Sequence, residues 1–421
     1  MQVEDGRHSA NRLRVAKSID IDPRYAALAK TLGNLADVLD IDLDKIILAL
    51  TDEVNRRFRR IGVNRQRAGR GPRRRAMFGW PMETTLPSAV AAVIPAHALM
   101  VPGPYYGAMN EVGHIPVLLD EVLRLLDPKP GEVAVDLTAG RGGHSLALAQ
   151  AVRANGAPGR VIGFDLDKEN LAFAAQRLEA ANVNFTGIHE SFINAPGTLR
   201  SLGVKADVVL ADLGFSSNQM DDPERGFSFS ADGPLDMRLN PADATPTAAD
   251  LLASLSEREL ADVIFQYGED PFARRIARNL VESRQFEPIR TTARLARLVH
   301  EAYGPKARSS RMHPATRTFM ALRIAVNDEL GALRSLLDQI TKGAENVNGP
   351  TWLHPGARVG IISFHSLEDR LVKHAFADIA RRGLATRLTK RPVSASEQEA
   401  SANPRSRSAK LRVARIGDDT R

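Results

Sequence analysis

One feature constrains the fold of this chain more than any other: from Val112 onward, strand-like apolar runs alternate with amphipathic helical segments. Five strands are predicted, at positions 132–137, 160–165, 183–188, 207–212 and 357–363, with helices near 144–153, 168–181 and 366–381. Such alternation requires crossover connections and therefore predicts a mostly parallel sheet that helices cover on both faces. Ligands of such sheets bind at the carboxyl ends of the strands.

The alternation is interrupted at positions 219–323, where the pattern becomes helical and a capping box opens at Ser256. One helix returning to the sheet is predicted from apolar residues spaced by threes and fours, namely Phe319, Leu322, Val326, Leu330, Leu333 and Leu337. We therefore expect four segments: an N-terminal extension at 1–108, a first core part at 109–218, a helical insert at 219–324, and a second core part with a basic C-terminal segment at 325–421.

The N-terminal extension carries most of the excess positive charge. Residues 1–108 hold 17 Lys and Arg against 11 Asp and Glu, whereas the remainder holds 40 against 39. Positions 56–75 contain ten arginines and no acidic residue, between a segment of helical spacing at 19–60 and a Pro- and Gly-rich linker at 76–108. This run is typical of a phosphate-seeking arm, although a solvated charged linker has the same composition.

The absence of cysteine excludes several classes of chemistry. The 421 residues contain none, so disulfides, cysteine zinc sites, iron–sulfur clusters and thiolate nucleophiles are excluded, and no bound metal is expected. No apolar run reaches the roughly 18 residues of a membrane span, and the N-terminus lacks a signal peptide. We expect a cytoplasmic protein with no membrane partner, whose oligomeric state is open between a monomer and a homodimer.

A glycine-rich loop follows the first predicted strand. Asp136 stands at the end of that strand, and Gly140, Gly142 and Gly143 precede the next helix. Glycines allow a ligand to approach the backbone N–H groups at a helix start. Asp165 ends the second strand, where an acidic side chain can hold both ribose hydroxyls of a nucleoside. The sequence thus predicts a nucleotide-type cofactor.

Two cofactors fit this loop, a nicotinamide dinucleotide and S-adenosylmethionine. The spacing G-x-G-G departs from the dinucleotide pattern G-x-G-x-x-G, and Asp136 would bring negative charge near a pyrophosphate. A carboxylate instead suits the sulfonium and the amino group of S-adenosylmethionine. The loop therefore favours S-adenosylmethionine, and a dehydrogenase remains the alternative.

Polar residues also follow the fourth and fifth predicted strands. Asp212 ends the fourth strand, where it either accepts a hydrogen bond from an attacking amine or the cofactor, or only caps a turn. Ser363 and His365 close the fifth strand, but the sequence identifies no carboxylate to orient them as a hydrolase pair. His365 stays a candidate for the pocket.

The end of the insert is basic. Residues 290–323 hold eight Lys and Arg against one Glu, with Tyr303 and Phe319 among them. Arginines on phosphates and rings stacked on bases are typical of RNA recognition, although such residues can also form a packed amphipathic border. The candidate RNA contacts are His313, Arg317, Arg323, Asn327 and, after the fifth strand, His365.

These segments, in this order, resemble the MraW/RsmH family of bacterial small-subunit ribosomal RNA cytosine-N4 methyltransferases. The resemblance spans positions 114–415 and rests on the stretches 114–121, 136–145, 212–219, 224–229, 233–238, 313–319, 363–370 and 403–408. It implies a class I, Rossmann-like α/β sheet with an inserted helical subdomain, and methyl transfer from S-adenosylmethionine to the exocyclic N4 amine of a cytidine in 16S rRNA. Family members begin near the equivalent of Met109, so the resemblance does not cover the extension.

The resemblance also carries over a set of cofactor contacts, namely Gly142, Gly143, His144, Asp165, Phe192, Asp212 and Gln219. Methylation of cytosine carbon 5 usually requires a cysteine, which this chain lacks, whereas transfer to the exocyclic nitrogen needs only an acceptor for the released proton. Our hypothesis gives Asp212 that catalytic role beside its cofactor contact. An RNA-binding assembly factor that has lost catalysis is a further alternative, which the intact cofactor positions disfavour.

Overall fold

The computed structural model of the chain describes residues 116–153, 159–309 and 312–417. The predicted N-terminal extension, with its helical segment, its arginine run and its linker, lies outside these described residues, as does Met109.

The sheet has seven strands in the order β3-β2-β1-β4-β5-β7-β6. Their bounds are β1 Val133–Asp136, β2 Arg160–Asp165, β3 Phe185–His189, β4 Ala206–Asp212, β5 Leu353–Ser363, β6 Ala385–Arg387 and β7 Lys410–Ile416. The strands from β3 to β5 pair in parallel, and β7 runs antiparallel to both β5 and β6. The five predicted strands are confirmed to within a few residues, whereas β6 and β7 were not predicted.

The described helices, in chain order, are α1 Leu119–Leu126, α2 Gly143–Val152, α3 Lys168–Ala180, α4 Ala195–Ser201, α5 Ser217–Asp221, α6 Ala248–Ser254, α7 Glu257–Gly268, α8 Ala273–Arg284, α9 Thr292–Tyr303, α10 Ala315–Asn327, α11 Glu329–Glu345, α12 Ser366–Arg381 and α13 Glu397–Ala402. Within the described ranges, none of these helices combines the length and hydrophobicity needed to cross a bilayer.

Helices cover both faces of the sheet. Because side chains alternate along a strand, Ala134 and Val135 of β1 point to opposite faces, each into a separate hydrophobic core. On one face α1, α2 and α3 supply Leu126, Leu148 and Leu178, all fully buried. On the other face α4, α11 and α12 supply the apolar side chains. The predicted class I methyltransferase sheet is confirmed.

The helices between β4 and β5 pack around a third core of their own. Helices α7, α8, α9 and α10 surround fully buried side chains such as Ile264, Ile276 and Leu295. The loop that contains Leu235 and Met237 also contributes to this core.

The prediction of a single returning helix is wrong, because the helix is interrupted at Asp328. This residue has φ 45°, ends α10 at Asn327 and leads directly into α11. Asp is one of the few non-glycine residues that adopt this left-handed conformation at moderate cost. The apolar stripe therefore serves two cores: its first part, up to Val326, packs in the insert, and its last part, from Leu333, packs on the sheet.

Candidate active site

Two glycines shape the loop between β1 and α2. Gly142 has φ +78°, and a Cβ there would lie 2.7 Å from the Leu178 side chain. A Cβ on Gly143 would lie 2.6 Å from Cγ of Pro116. Neither position accommodates a side chain without movement of its neighbours. No side chain caps the start of α2 within the described structure, and no acidic residue stands in its first turn, so its first N–H groups are free for a ligand.

Asp136 holds this loop from inside. Its Oδ2 accepts a hydrogen bond from the Ser145 hydroxyl at 2.6 Å, and its Oδ1 accepts one from the Thr138 N–H at 3.2 Å. The side chain is fully buried, and this burial raises the pKa of Asp136 to about 6. Asp136 therefore shapes the loop and contributes charge from behind the pocket wall instead of contacting a ligand.

Asp165 stands in the pocket wall at the end of β2. Its Oδ2 accepts a hydrogen bond from the Gly140 N–H at 2.7 Å, and its Oδ1 accepts one from the Asp167 N–H at 2.8 Å. Burial raises the pKa of Asp165 to about 6, and the carboxylates of Asp167 and Asp136 add to the shift. Each oxygen keeps a second lone pair, which is what two ribose hydroxyls require.

Asp212 closes β4 in the same wall, with a side chain that is 20% exposed. Its Oδ2 lies 3.5 Å from Nδ1 of His144, and its buried Oδ1 finds no hydrogen-bond partner among the described residues. Burial raises the pKa of Asp212 well above its usual range, and the nearby carboxylates of Asp136 and Glu368 raise it further. The pocket therefore contains a carboxyl group with a high affinity for a proton and no internal donor that satisfies it.

One pocket at the carboxyl edge of the sheet brings most of the predicted cofactor residues together. Its wall includes Gly143, His144, Asp165, Phe192, Asp212 and Gln219. Gly142 is not part of that wall, because it turns the backbone behind it. Phe192 begins a short 3-10 turn after β3, capped by the Ser191 hydroxyl.

Gln219 is engaged within the protein. Its Oε1 accepts a hydrogen bond from the Ser216 N–H at 3.0 Å, and its Nε2 donates to Asp167 at 2.8 Å. The same Asp167 oxygen accepts a hydrogen bond from Arg225 at 2.8 Å. Arg225 also donates to the carbonyl oxygens of Arg238 and Leu239, so this network joins the start of α3 to the loop that precedes α6.

Two of the predicted RNA contacts, Arg323 and Asn327 on α10, are also engaged internally. Arg323 donates to both carboxylate oxygens of Glu329, at 2.7 and 2.8 Å, and its guanidinium lies 4.7 Å from the ring of Phe215 in the pocket wall. Asn327 accepts a hydrogen bond from the Leu239 N–H and donates to the Met237 carbonyl oxygen. Both side chains hold parts of the pocket in place.

The other three predicted RNA contacts differ in exposure. His313 is exposed and stacks on Phe229 with ring centroids 4.5 Å apart, and Arg317 donates to the Glu269 carbonyl oxygen at 2.7 Å. His365 is 9% exposed, with Nε2 lying 3.3 Å from Oε1 of Glu368. Glu329, His365 and Glu368 bring three potential ligand atoms within 4.8 Å of one another, and both oxygens of Glu329 accept hydrogen bonds from Arg323.

Sequence reasoning missed several residues of the wall. Phe215 and Leu239 enter it from the insert side, and Glu190 enters after β3. Arg405 arrives from the C-terminal segment and lies 3.2 Å from Asp221 of α5. The sequence feature that could have indicated Arg405 is the basic stretch at 403–408. Its position beside the pocket follows only from the antiparallel pairing of β7 with β5.

Chemically, the pocket combines a free helix N-terminus, a carboxylate suited to two hydroxyl donors, an aromatic ring and a carboxyl group that lacks a donor. It contains no thiol, since the chain has no cysteine. This arrangement can hold a nucleoside with an attached amino acid and can accept a proton from a substrate that enters beside Asp212.

Comparison with known proteins assigns the family. Residues 111–416 match the model of the MraW methylase family. Ribosomal RNA small subunit methyltransferase H of Synechococcus sp. (strain JA-2-3B'a(2-13)) is 46% identical over 314 residues, which cover 72% of this chain and 91% of that protein. The protein of the same name from Anaeromyxobacter sp. (strain K) is 46% identical over 316 residues, 71% of this chain and 96% of its own length.

Among solved structures, an rRNA methylase from Streptococcus thermophilus aligns with a TM-score of 0.30 and 13% identity, over 71% of this chain and 94% of its own. The family match covers most of the chain, and the relatives are matched over nearly their whole length. The chain belongs to the MraW methylase family.

Proposed function

We propose that this protein transfers a methyl group from S-adenosylmethionine to the exocyclic N4 amine of a cytidine in small-subunit ribosomal RNA. Family membership and the names of the relatives support the methyl donor and the RNA substrate. The observation that carries the choice of an amine is Asp212, a pocket carboxyl that no donor satisfies among the described residues: Oδ1 has no hydrogen-bond partner, and Oδ2 only approaches Nδ1 of His144, at 3.5 Å. No cysteine is present for the covalent route to carbon 5.

The residues of the pocket fit S-adenosylmethionine. Asp165 would hold the ribose hydroxyls, Phe192 would lie against the adenine, and the free N–H groups of α2 would meet the carboxylate of the methionine part. The ionised carboxylate of Asp165, with that of Asp136 behind the wall, favours a cation over a pyrophosphate. When bound, the cofactor supplies an electrophilic methyl group.

The chain's own residues would then position the amine and remove its proton. Phe215, held by Arg323 and stacked on Phe227 at 5.0 Å, offers a flat wall for a base that has left its stack. Leu239, held by Asn327, stands on the same side of the pocket. Asp212 accepts the proton that the amine loses as it is methylated. Arg323 and Asn327 therefore act on the substrate through the pocket wall.

The RNA outside the pocket would meet the exposed part of the insert. His313 presents a ring stacked on Phe229, which in turn lies 4.8 Å from the buried Phe319, so the exposed ring has a rigid support. Such a ring suits stacking on an unpaired base. The arginines at positions 56–75 would add phosphate contacts and, with them, a dependence of affinity on salt.

The function is tested by incubating purified full-length protein with labelled S-adenosylmethionine and either small-subunit RNA, assembled small subunits or large-subunit RNA. We expect label in the small-subunit substrates only. Binding of small-subunit RNA without any transfer would instead identify an assembly factor that lacks catalysis. Binding of NADH but not of S-adenosylhomocysteine would identify a dehydrogenase.

Location and assembly follow from this function as further proposals. We propose a cytoplasmic location, because ribosomal RNA of the kind named for the relatives is the proposed substrate. The oligomeric state is decided between a monomer and a homodimer by sedimentation of the 45.9 kDa chain. A chain that starts at Met109 tests the extension: unchanged RNA affinity and unchanged salt dependence would contradict its role in binding.

A further inference from the structure

We propose that His144 is a positioning residue for the proton that Asp212 accepts, a role that rests on the proposed transfer to an exocyclic amine. His144 is the second residue of α2, and its side chain is 6% exposed. Its ring bridges two groups: Nε2 lies 2.9 Å from the carbonyl oxygen of Val117, and Nδ1 lies 3.5 Å from Oδ2 of Asp212. The second contact is longer than an ordinary hydrogen bond, as is common for catalytic pairs before the substrate is bound.

The contact with Val117 decides which ring nitrogen carries the hydrogen. A backbone carbonyl oxygen only accepts hydrogen bonds, so Nε2 of His144 must donate. In a neutral imidazole the other nitrogen then has a lone pair and only accepts. Nδ1 therefore cannot donate a hydrogen bond to an ionised Asp212. It accepts a hydrogen bond from Oδ2 once the Asp212 carboxyl is protonated.

The surroundings place the shared proton on the carboxyl. Burial lowers the pKa of His144 to about 4, whereas burial raises the pKa of Asp212 well above its usual range. The charged groups that face Asp212 are Asp136 from β1 and Glu368 from α12, and both disfavour a second negative charge. Glu368 is in turn paired with His365. The ring of His144 thus stays neutral and acts as the acceptor.

The proton balance of the reaction gives this pair its function. In the methyl transfer, the lone pair of the amine nitrogen would form the new bond to the methyl carbon, and the carbon–sulfur bond of the methyl donor would break with its electron pair left on sulfur. One N–H bond then breaks, its electron pair stays on nitrogen, and the proton binds Oδ2 of Asp212. Nδ1 of His144 accepts a hydrogen bond from the new O–H, which stabilises the protonated carboxyl and makes Asp212 a stronger base. Asp212 must release this proton to solvent before the next turnover. The rate therefore rises with pH as Asp212 loses its proton.

Two substitutions separate this role from a structural one. His144→Asn keeps a hydrogen-bond acceptor, the amide oxygen, near the position of Nδ1. It loses the N–H that donates to the Val117 carbonyl oxygen. His144→Gln restores a donor to Val117 but has no acceptor at the Nδ1 position. The matched control is His189→Gln, because His189 also donates from Nε2 to a backbone carbonyl, that of Leu166 at 2.9 Å, and has no carboxylate within 4 Å among the described residues.

Single-turnover methylation of small subunits at saturating cofactor, over a range of pH, gives the first readout. We expect His144→Gln to lower the plateau rate by about tenfold or more and to move the rising limb about one pH unit lower, because Asp212 becomes a weaker base. His144→Asn should retain more activity than His144→Gln. A larger loss in His144→Asn, or equal losses at every pH with no shift of the limb, would overturn the proposal and leave His144 as a support for Val117.

A second readout needs no cofactor and no RNA. In full-length protein with ¹⁵N-labelled histidine, the Nδ1 signal of His144 should change at the pH where Asp212 titrates, and Asp212→Asn should abolish that change, while the His189 signal is unaffected. A His144 signal that is identical in wild type and Asp212→Asn overturns the proposal. If the wild-type protein methylates no RNA, the proposed function fails, whereas this titration still decides whether His144 and Asp212 share a proton.

Discussion

The pocket at the sheet edge and the helical insert use their polar residues in different ways. In the pocket, Asp165 and Asp212 stand in the wall itself: each Asp165 oxygen keeps a second lone pair beside one backbone hydrogen bond, and Oδ1 of Asp212 has no donor among the described residues. In the insert, Arg323 and Asn327 are fully engaged with the protein, one with Glu329 and the other with the backbone of the loop after β4. The polar residues of the pocket are placed to contact the ligand, whereas those of the insert hold the pocket wall in place.

This difference has a measurable consequence. A substitution in the pocket should remove binding or chemistry and leave stability nearly unchanged, whereas a substitution of an engaged residue in the insert should remove stability first. Each prediction below tests one side of this contrast.

The largest effect is expected from Asp212→Asn. The amide cannot accept the proton, so the rate of methylation should fall by about a hundredfold or more. Because the pKa of Asp212 is raised by burial and by Asp136 and Glu368, a neutral side chain should leave the unfolding free energy unchanged or higher. Methylation rates and chemical denaturation measure the two outcomes. If Asp212→Asn kept its methylation rate but unfolded more easily, Asp212 would be a structural residue and not a group that contacts the substrate.

The next effect is a loss of stability in Arg323→Ala. This change leaves Glu329, which is 10% exposed at its side chain, without its bidentate partner, and removing one member of such a pair costs about 3–5 kcal/mol. Arg317→Ala on the same helix is the matched control, since its hydrogen bond to Glu269 lies at the surface and should cost less than about 1 kcal/mol. If Arg323→Ala instead left stability intact and lowered the salt dependence of RNA affinity, Arg323 would be a direct phosphate contact.

A smaller loss of stability is expected from alanine substitutions at glycines with positive φ, and two such glycines separate steric crowding from backbone strain. Gly142→Ala combines a positive φ with a collision against Leu178, and we expect a loss of about 3 kcal/mol together with weaker cofactor binding. Gly203→Ala has φ +67° but nothing within 4 Å of the added Cβ, so it should cost about 1 kcal/mol and leave binding unchanged. Equal costs for the two variants would show that the loop accommodates a side chain and that its shape does not depend on Gly142.

The smallest effect is a dependence of cofactor affinity on pH. Burial raises the pKa of Asp165 to about 6, and only the ionised carboxylate accepts two hydroxyl donors. The affinity should therefore rise about tenfold between pH 5 and pH 7, and Asp165→Asn should remove most of this rise. For the same reason, the unfolding free energy of the cofactor-free protein should fall as pH rises from about 4 to about 6, since the folded form holds the proton more tightly. Calorimetry with S-adenosylhomocysteine checks the affinity, and a rise that persists in Asp165→Asn would assign it to another group.

The sequence predicted the parts of the molecule that depend on local pattern. The strands β1 to β5, the loop with Gly142 and Gly143, and the wall residues Asp165 and Asp212 all follow from period, turn chemistry and position at a strand end. The prediction of their binding role awaits the experiments above.

The parts that the sequence did not reveal depend on long-range packing. The helical period of residues 315–345 continues through Asp328, and only the division between two cores breaks the helix there. Arg405 enters the pocket because β7 inserts antiparallel beside β5, a pairing that no local pattern specifies. The sequence predicted negative charge from Asp136 near the ligand, but its place behind the pocket wall depends on tertiary packing and on its hydrogen bond to Ser145.

The proposed function depends above all on the chemical identity of the methylated group. The most direct measurement is mass-spectrometric mapping of small-subunit RNA before and after treatment with the purified protein and S-adenosylmethionine, using RNA from a strain that lacks this protein. We expect one new methyl group, recovered as N4-methylcytidine. Recovery of 5-methylcytidine, of a methylated ribose, or of no new methyl group would contradict it.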